Sequence, residues 1–145
     1  MRPNDRMTDT RQSTINLVSR YYAAFNAGDV EGMLACLRED VVHDVNQGGR
    51  RHGREAFRAF LEHMKRCYAE QAVDLVVMAN DEGTRAAAEF VILGAYHQTD
   101  EGLPEARGQT YRLPVGAFFE VKGGRIARVT NYYNLQDWIA QVKGL

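Results

Sequence analysis

The order in which hydrophobic periods follow one another constrains the fold of this chain more than any single motif. From Ser13 the apolar residues Ile15, Val18, Tyr22 and Phe25 recur at helical spacing with Tyr21 beside them, and Asn26-Ala27-Gly28 closes this helix. Asp29 stands where it would cap a second, short helix running to Leu37. Val41 to Asn46 reads as a first strand and Gln47-Gly48-Gly49 as a turn. Arg54 to Tyr68 reads as a third helix with Phe57, Phe60, Leu61 and Met64 on one stripe. Beyond Tyr68 the chain reads as strands: Ala72 to Ala79, Thr84 to Gln98, Thr110 to Lys122 and Arg125 to Asn134, the last two joined at Gly123-Gly124. Leu135, Trp138, Ile139 and Val142 end the chain as a short amphipathic helix. Helices followed by long, turn-linked strands specify an α+β domain, a curved antiparallel sheet holding three N-terminal helices. Such a sheet leaves a hollow at its open end, where a small ligand would sit.

At 145 residues the chain is expected to form one domain over residues 12–145, after a polar, Pro3-bearing tail of residues 1–11. A net charge of −1 argues against nucleic acid and against an anionic membrane surface. No apolar stretch approaches a membrane span and no apolar signal core follows the start, so a cytoplasmic protein is expected. Cys36 and Cys67 form no C-x-x-C pair and fall on apolar helix faces, which predicts buried free thiols. Pro114 predicts an edge or a bulge in its strand. The polar Gln98–Gln109 segment is long for a strand connection and is expected to be mobile at the pocket mouth.

The residue best placed for chemistry is Asp44, within Val41-Val42-His43-Asp44-Val45. Pointed into an apolar hollow, its carboxyl would titrate upward, toward the range useful for proton transfer. A one-residue change of register would instead turn Val41, His43 and Val45 inward, and His43 would then be a reasonable base. Tyr21 is a candidate hydrogen-bond donor, although an aromatic on an amphipathic helix is more often core with its hydroxyl satisfied by a neighbour. Arg112, Gly116, Phe118, Asn131 and Tyr133 are expected to line the hollow, Arg112 and Asn131 binding an oxyanion or carboxylate. The alternative for Arg112 is the outer face of the sheet. His63 and His97 lack metal-ligand spacing, and neither G-x-G-x-x-G nor a P-loop occurs, so no metal and no cofactor are expected.

Two spacings, Tyr21 to Gly28-Asp29 and Asp44 to His52-Gly53-Arg54-Glu55, together with the hairpin Phe118 to Ile126, resemble the NTF2-like superfamily in its SnoaL-like and ketosteroid-isomerase-like branch. The resemblance implies a cone-shaped α+β fold, Asp44 at the place of the proton-shuttling base and Tyr21 at the place of the oxyanion-hole tyrosine. It puts Gly116 where those isomerases hold a protonated acid, so the full oxyanion hole is not reproduced. The function implied is acid–base proton transfer on a small apolar carbonyl compound, without a cofactor. The alternative is a non-catalytic domain that binds a small molecule. Apolar residues on both strand faces, as in Phe118-Phe119 and Tyr132-Tyr133, predict a homodimer through the outer sheet face.

Overall fold

The structure, a computed structural model, describes residues 8–46 and 48–144, so most of the expected tail and Gln47 of the expected turn lie outside the described residues. Helix α1 (Arg11–Asn26) begins at a reciprocal cap. The Thr10 hydroxyl accepts from the Ser13 N–H, and the Ser13 hydroxyl accepts from the Thr10 N–H. This cap starts the helix ahead of its apolar stripe. Helix α2 (Val30–Ala35) is capped by Asp29 as expected. There follow β1 (Leu37–Asp44), β2 (Arg50–His52), α3 (Arg54–Cys67), β3 (Tyr68–Ala79), β4 (Arg85–Tyr96), β5 (Thr110–Lys122), β6 (Arg125–Tyr133) and α4 (Leu135–Lys143). Among the described residues no helix is long and apolar enough to cross a membrane.

The six strands form one curved, unclosed sheet in the order β2-β1-β6-β5-β4-β3. The expected antiparallel sheet is corrected at one joint: β1 runs parallel to β6, and all other neighbours are antiparallel. Strands so far apart in sequence are joined by no hairpin, so no turn dictates their relative direction. An extra β3 residue opposite β4, between Val73 and Val76, bends that strand, with Asp74 at φ 56°.

Alternation on β5 separates the two faces. Tyr111, Leu113, Val115, Ala117, Phe119 and Val121 are buried, whereas Arg112, Pro114 and Phe118 are exposed. Helix α1 meets the buried face: the Tyr22 ring lies 4.8 Å from Phe90, and Tyr21 meets Phe119 edge-on at 6.0 Å. Its first turn packs backbone to backbone on the β3–β4 turn. There the Thr14 hydroxyl donates to the Gly83 carbonyl at 2.5 Å, and any Cβ at Gly83 would collide with Thr10.

Two amide side chains stand in for missing strands. On the edge strand β3, Ala72 gives its N–H to Asn26 Oδ1 at 2.7 Å and accepts from Asn26 Nδ2 at 3.0 Å. On β5, Arg112 makes the same double pair with Gln141 of α4, at 2.9 and 2.8 Å. Pairing of β6 with β5 ends at Val115–Tyr133, so Pro114, two residues from Arg112, presents its missing N–H to that same open side.

On β1 the register is the alternative with Val41 and His43 facing the helices. His43, 2% exposed, stacks on Phe57 at 4.3 Å and meets Phe60 edge-on at 4.7 Å. Burial, reinforced by the Arg51 charge and opposed by Asp44, lowers its pKa to about 4.

Two expectations follow. Asn26→Ala strips both partners from Ala72 and should lower stability by about 1–3 kcal/mol in urea unfolding. For His43 the folded pKa lies below the unfolded one. Its contribution is therefore complete above pH 6.5 and is lost as pH falls toward 4, amounting to about 3 kcal/mol in all. Melting temperatures between pH 7 and 5 should fall less steeply in His43→Leu than in the wild type.

Candidate active site

A carboxylate, a glycine and a tyrosine share one row across three strands. Glu70 of β3 pairs with Gly94 of β4, and Gly94 pairs with Tyr111 of β5. The Tyr111 ring lies across β4 where Gly94 has no side chain; a Cβ there would collide with the ring and its hydroxyl. This crossing lets the Tyr111 hydroxyl donate to Glu70 Oε2 at 2.5 Å. Burial pushes the Glu70 carboxyl above its ordinary range, and the Tyr111 hydrogen bond only partly offsets it. Tyr111 in turn is raised by burial and by the charge of Glu70.

Around this pair the helix-facing side is aromatic. The Trp138 ring of α4 meets Tyr68, Tyr96 and Tyr111 at 6.0, 4.9 and 5.8 Å. Tyr133 at the end of β6 is raised by burial, with Asn46 opposing and the charges of Glu70 and Asp100 adding. Asn46 brings a buried Nδ2 that has no partner among the described residues. A second carboxylate, Asp100, accepts from the Tyr68 hydroxyl at 2.7 Å through one oxygen and meets His63 Nε2 at 2.8 Å through the other. Burial raises Asp100, but the Tyr68 and His63 hydrogen bonds outweigh it and leave the carboxyl below its usual range.

Asp100 belongs to the Gln98–Gln109 segment, which packs down over this end of the sheet. The Tyr96 hydroxyl donates to the Pro104 carbonyl at 2.7 Å and accepts from the Asp100 N–H at 2.9 Å. Gln109 reaches the Glu105 and Val142 carbonyls, and Leu103 and Ala106 rest on the core.

The residues singled out from sequence are divided between two faces. Asp44 stands on the outer face, opposite Arg50 and Thr130 in register, and accepts from Arg50 at 2.7 and 3.1 Å and from Thr130 at 2.6 Å. The Arg50 hydrogen bond is the main reason its pKa is about 2, where an upward shift was expected. The expected inward placement of Asp44 is therefore corrected: β1 is pinned with Val41 and His43 toward α3, and strand parity turns Asp44 away. Tyr21 is a core aromatic, 5% exposed, in edge contact with Tyr22, Phe57 and Phe119; burial raises its hydroxyl. Arg112, Gly116 and Phe118 share the outer face of β5, whereas Asn131 and Tyr133 take the helix-facing parity of Val129. The single inward set is thus split. Arg112 lines an open depression of about 570 Å³ with Leu93, Ala95 and Gln141.

Glu70, Tyr111 and Asp100 were not singled out from sequence, and His63 was set aside there for want of metal-ligand spacing. Tyr68, Glu70 and Ala72 alternate on one face, a pattern legible only once the strand starts at Tyr68 rather than Ala72. His63 and Cys67 are four apart on α3, a spacing that puts both on one side of a helix. Asp100, in a loop, carries no periodicity at all.

The SnoaL-like domain family matches residues 18–129. A Xanthomonas campestris protein provisionally named a polyketide cyclase is 64% identical, with 91% of this chain and 98% of that chain covered and a TM-score of 0.89. A Pseudomonas putida protein carrying the same provisional name is 60% identical, with 89% and 97% covered and a TM-score of 0.88. A Mycobacterium tuberculosis LEH-like epoxide hydrolase shares the fold, at 18% identity, 92% of each chain and a TM-score of 0.74. No curated protein matches the chain. With most of its length matched and the six-stranded α+β sheet in place, the chain belongs to the SnoaL-like domain family of the NTF2-like superfamily.

Proposed function

We propose that the Glu70 cluster is the active site of an enzyme that moves protons on a small, largely apolar carbonyl compound. The observation that carries this reading is a carboxyl raised by burial and held by the Tyr111 hydroxyl across Gly94. Glu70 takes a proton from the carbon next to the carbonyl, and the enolate oxygen accepts from Asn46 Nδ2 and the Tyr133 hydroxyl. The proton then returns to carbon, or the enolate carbon attacks a second carbonyl carbon, the ring closes, and Glu70 gives its proton to the new alkoxide oxygen. The Trp138, Tyr68 and Tyr96 rings supply an apolar wall for such a substrate. Family membership and the polyketide cyclase names of the two relatives support small-molecule processing and, more narrowly, ring-forming enolate chemistry. Glu70 here takes the role that the ketosteroid-isomerase resemblance assigned to Asp44.

The test is α-proton exchange of apolar cyclic ketones in deuterated buffer, followed by NMR. Glu70→Gln should lower the catalysed rate about 10²–10⁴-fold, while Asp44→Asn leaves it unchanged. A raised folded pKa means that ionised Glu70 costs stability as pH rises above the carboxylate range. Glu70→Gln, whose amide oxygen still accepts from Tyr111, should therefore melt no lower than the wild type at pH 7. Equal rates for wild type and Glu70→Gln would refute the assignment.

We propose in addition that a second copy of the chain covers the outer face. Val76, Met78, Leu93, Phe118 and Tyr132 stand exposed there, with Phe118 and Tyr132 in edge contact at 5.9 Å. Ion pairs Asp44–Arg50 and Glu120–Arg128 flank that apolar patch. Light scattering at micromolar concentration should give a dimer mass for wild type and a monomer mass for Phe118→Glu; a monomeric wild type would count against it.

A further inference from the structure

We infer that His63, Cys67 and Asp100 form a binding site for a divalent transition metal of the zinc class. Nε2 of His63, Sγ of Cys67 and a carboxylate oxygen of Asp100 all lie within 4.8 Å of one another. Nε2 is 2.8 Å from Asp100 Oδ1 and 3.9 Å from Cys67 Sγ. In a tetrahedral zinc site, bonds of about 2.0–2.3 Å set ligand atoms roughly 3.3–3.7 Å apart. His63 Nε2 stands close to that spacing from both partners, and the gap between the Cys67 and Asp100 ligand atoms, at most 4.8 Å, closes by about an ångström to reach it.

The same nitrogen faces both partners, and this decides between two readings of a cysteine, a histidine and an aspartate in contact. A nucleophile–base–carboxylate triad uses the two ring nitrogens separately, one for the nucleophile and one for the carboxylate. Both partners meeting the same ring nitrogen do not fit a triad, and three ligand atoms gathered around one point suit a shared central ion. Nitrogen, thiolate and one carboxylate are donors that suit zinc, cobalt or iron and not magnesium or calcium. One thiolate and one carboxylate also balance the two charges of the ion.

The surroundings hold the ligands in place. His63 and Cys67 project from adjacent turns of α3, and Cys67 is fully buried. Asp100 is fixed by the Tyr68 hydroxyl on its second oxygen and by Tyr96 on its backbone N–H. Such support around a ligand is worth about 10–100-fold in metal affinity. The His63 side chain is 43% exposed, which leaves a solvent-side approach and room for water as a fourth ligand. On binding, the Cys67 thiol releases its proton to solvent, and the proton on His63 moves to Nδ1. The ion would fasten the Gln98–Gln109 segment to α3. None of its three ligands acts in the Glu70 chemistry, so either assignment can fail without the other.

Cobalt(II) chloride is the probe, titrated into the full chain after chelator treatment and in thiol-free buffer. The expected result is one cobalt per chain, with visible d–d absorption and a thiolate-to-cobalt charge-transfer band in the near ultraviolet, both removed by zinc. His63→Ala and Asp100→Asn should weaken binding at least about 10–100-fold, and Tyr68→Phe by a comparable factor. Cys67→Ala should lose the charge-transfer band, and Cys36→Ala should keep it. Zinc should raise the melting temperature of the wild type and not of His63→Ala. Absence of the band in folded wild type at equimolar cobalt would overturn the proposal. So would a band that His63→Ala and Asp100→Asn leave unchanged, or one that follows Cys36. Should Cys67→Ala fail to fold, the part-exposed His63 and Asp100 variants decide the question.

Discussion

The period-two pleat of β3 to β6, held in register over long antiparallel pairings, is the constraint from which the other features derive. Once Phe119 and Val115 face α1, every even-numbered residue of β5 is committed to the outer face, Arg112 and Gly116 included. The same parity carries across the register to Ile92 and Phe90 on β4 and to Val129 on β6. A single residue of slip on β5 would bring Arg112, Glu120 and Lys122 into the core in place of apolar side chains, at a cost far beyond the marginal stability of a domain of this size. Helix placement, the position of the site and the exposure of Phe118 and Tyr132 are consequences of that one choice.

Within this frame the Glu70 pair depends on an omission. Gly94 leaves a gap in the helix-facing surface, and Tyr111 uses it to reach across a whole strand. The carboxyl is thereby buried beside a phenol instead of being paired with a cation. That arrangement keeps its pKa high and costs the folded state some stability. Asp44 is the opposite case. Two strong bonds from Arg50 and one from Thr130 hold it ionised on the outer face, where it ties β2, β1 and β6 together. Two carboxylates of the same sheet are thus driven in opposite directions, Glu70 upward by burial and Asp44 downward by its partners.

The Gln98–Gln109 segment joins these elements at one end of the molecule. Its backbone is satisfied by Tyr96, Thr99 and Gln109, and it delivers Asp100 to α3. A long polar connection suggested mobility at the pocket mouth. In the structure it lies at that end of the sheet and is held there by hydrogen bonds that involve side chains of the loop itself and of β4.

How much of this was legible beforehand depended on the range of the interaction. The helix stripe of Phe57 and Phe60, the strand alternation of β5 and β6, the Asp29 cap and the Gly123-Gly124 turn are local patterns. They determined the α+β class, the element order apart from the short strand β2, and the family resemblance without any coordinates. Pro114 likewise announced a one-sided stretch of strand. What parity alone could not decide was the side that His43 and Asp44 take, because both readings of Val41-Val42-His43-Asp44-Val45 bury apolar residues. Contact with Phe57 and Phe60 on one side and Arg50 with Thr130 on the other made that decision. The parallel β1–β6 joint, the Glu70–Tyr111 bond across Gly94 and the convergence of Asp100 on His63 and Cys67 link residues far apart in the chain. Sequence determined the helices and the long strands, since those depend on neighbours a few residues away, whereas the short β2 exists through its pairing with β1. Only the tertiary structure decided which polar groups meet, because their partners are brought close by the sheet register and the loop rather than by the local sequence.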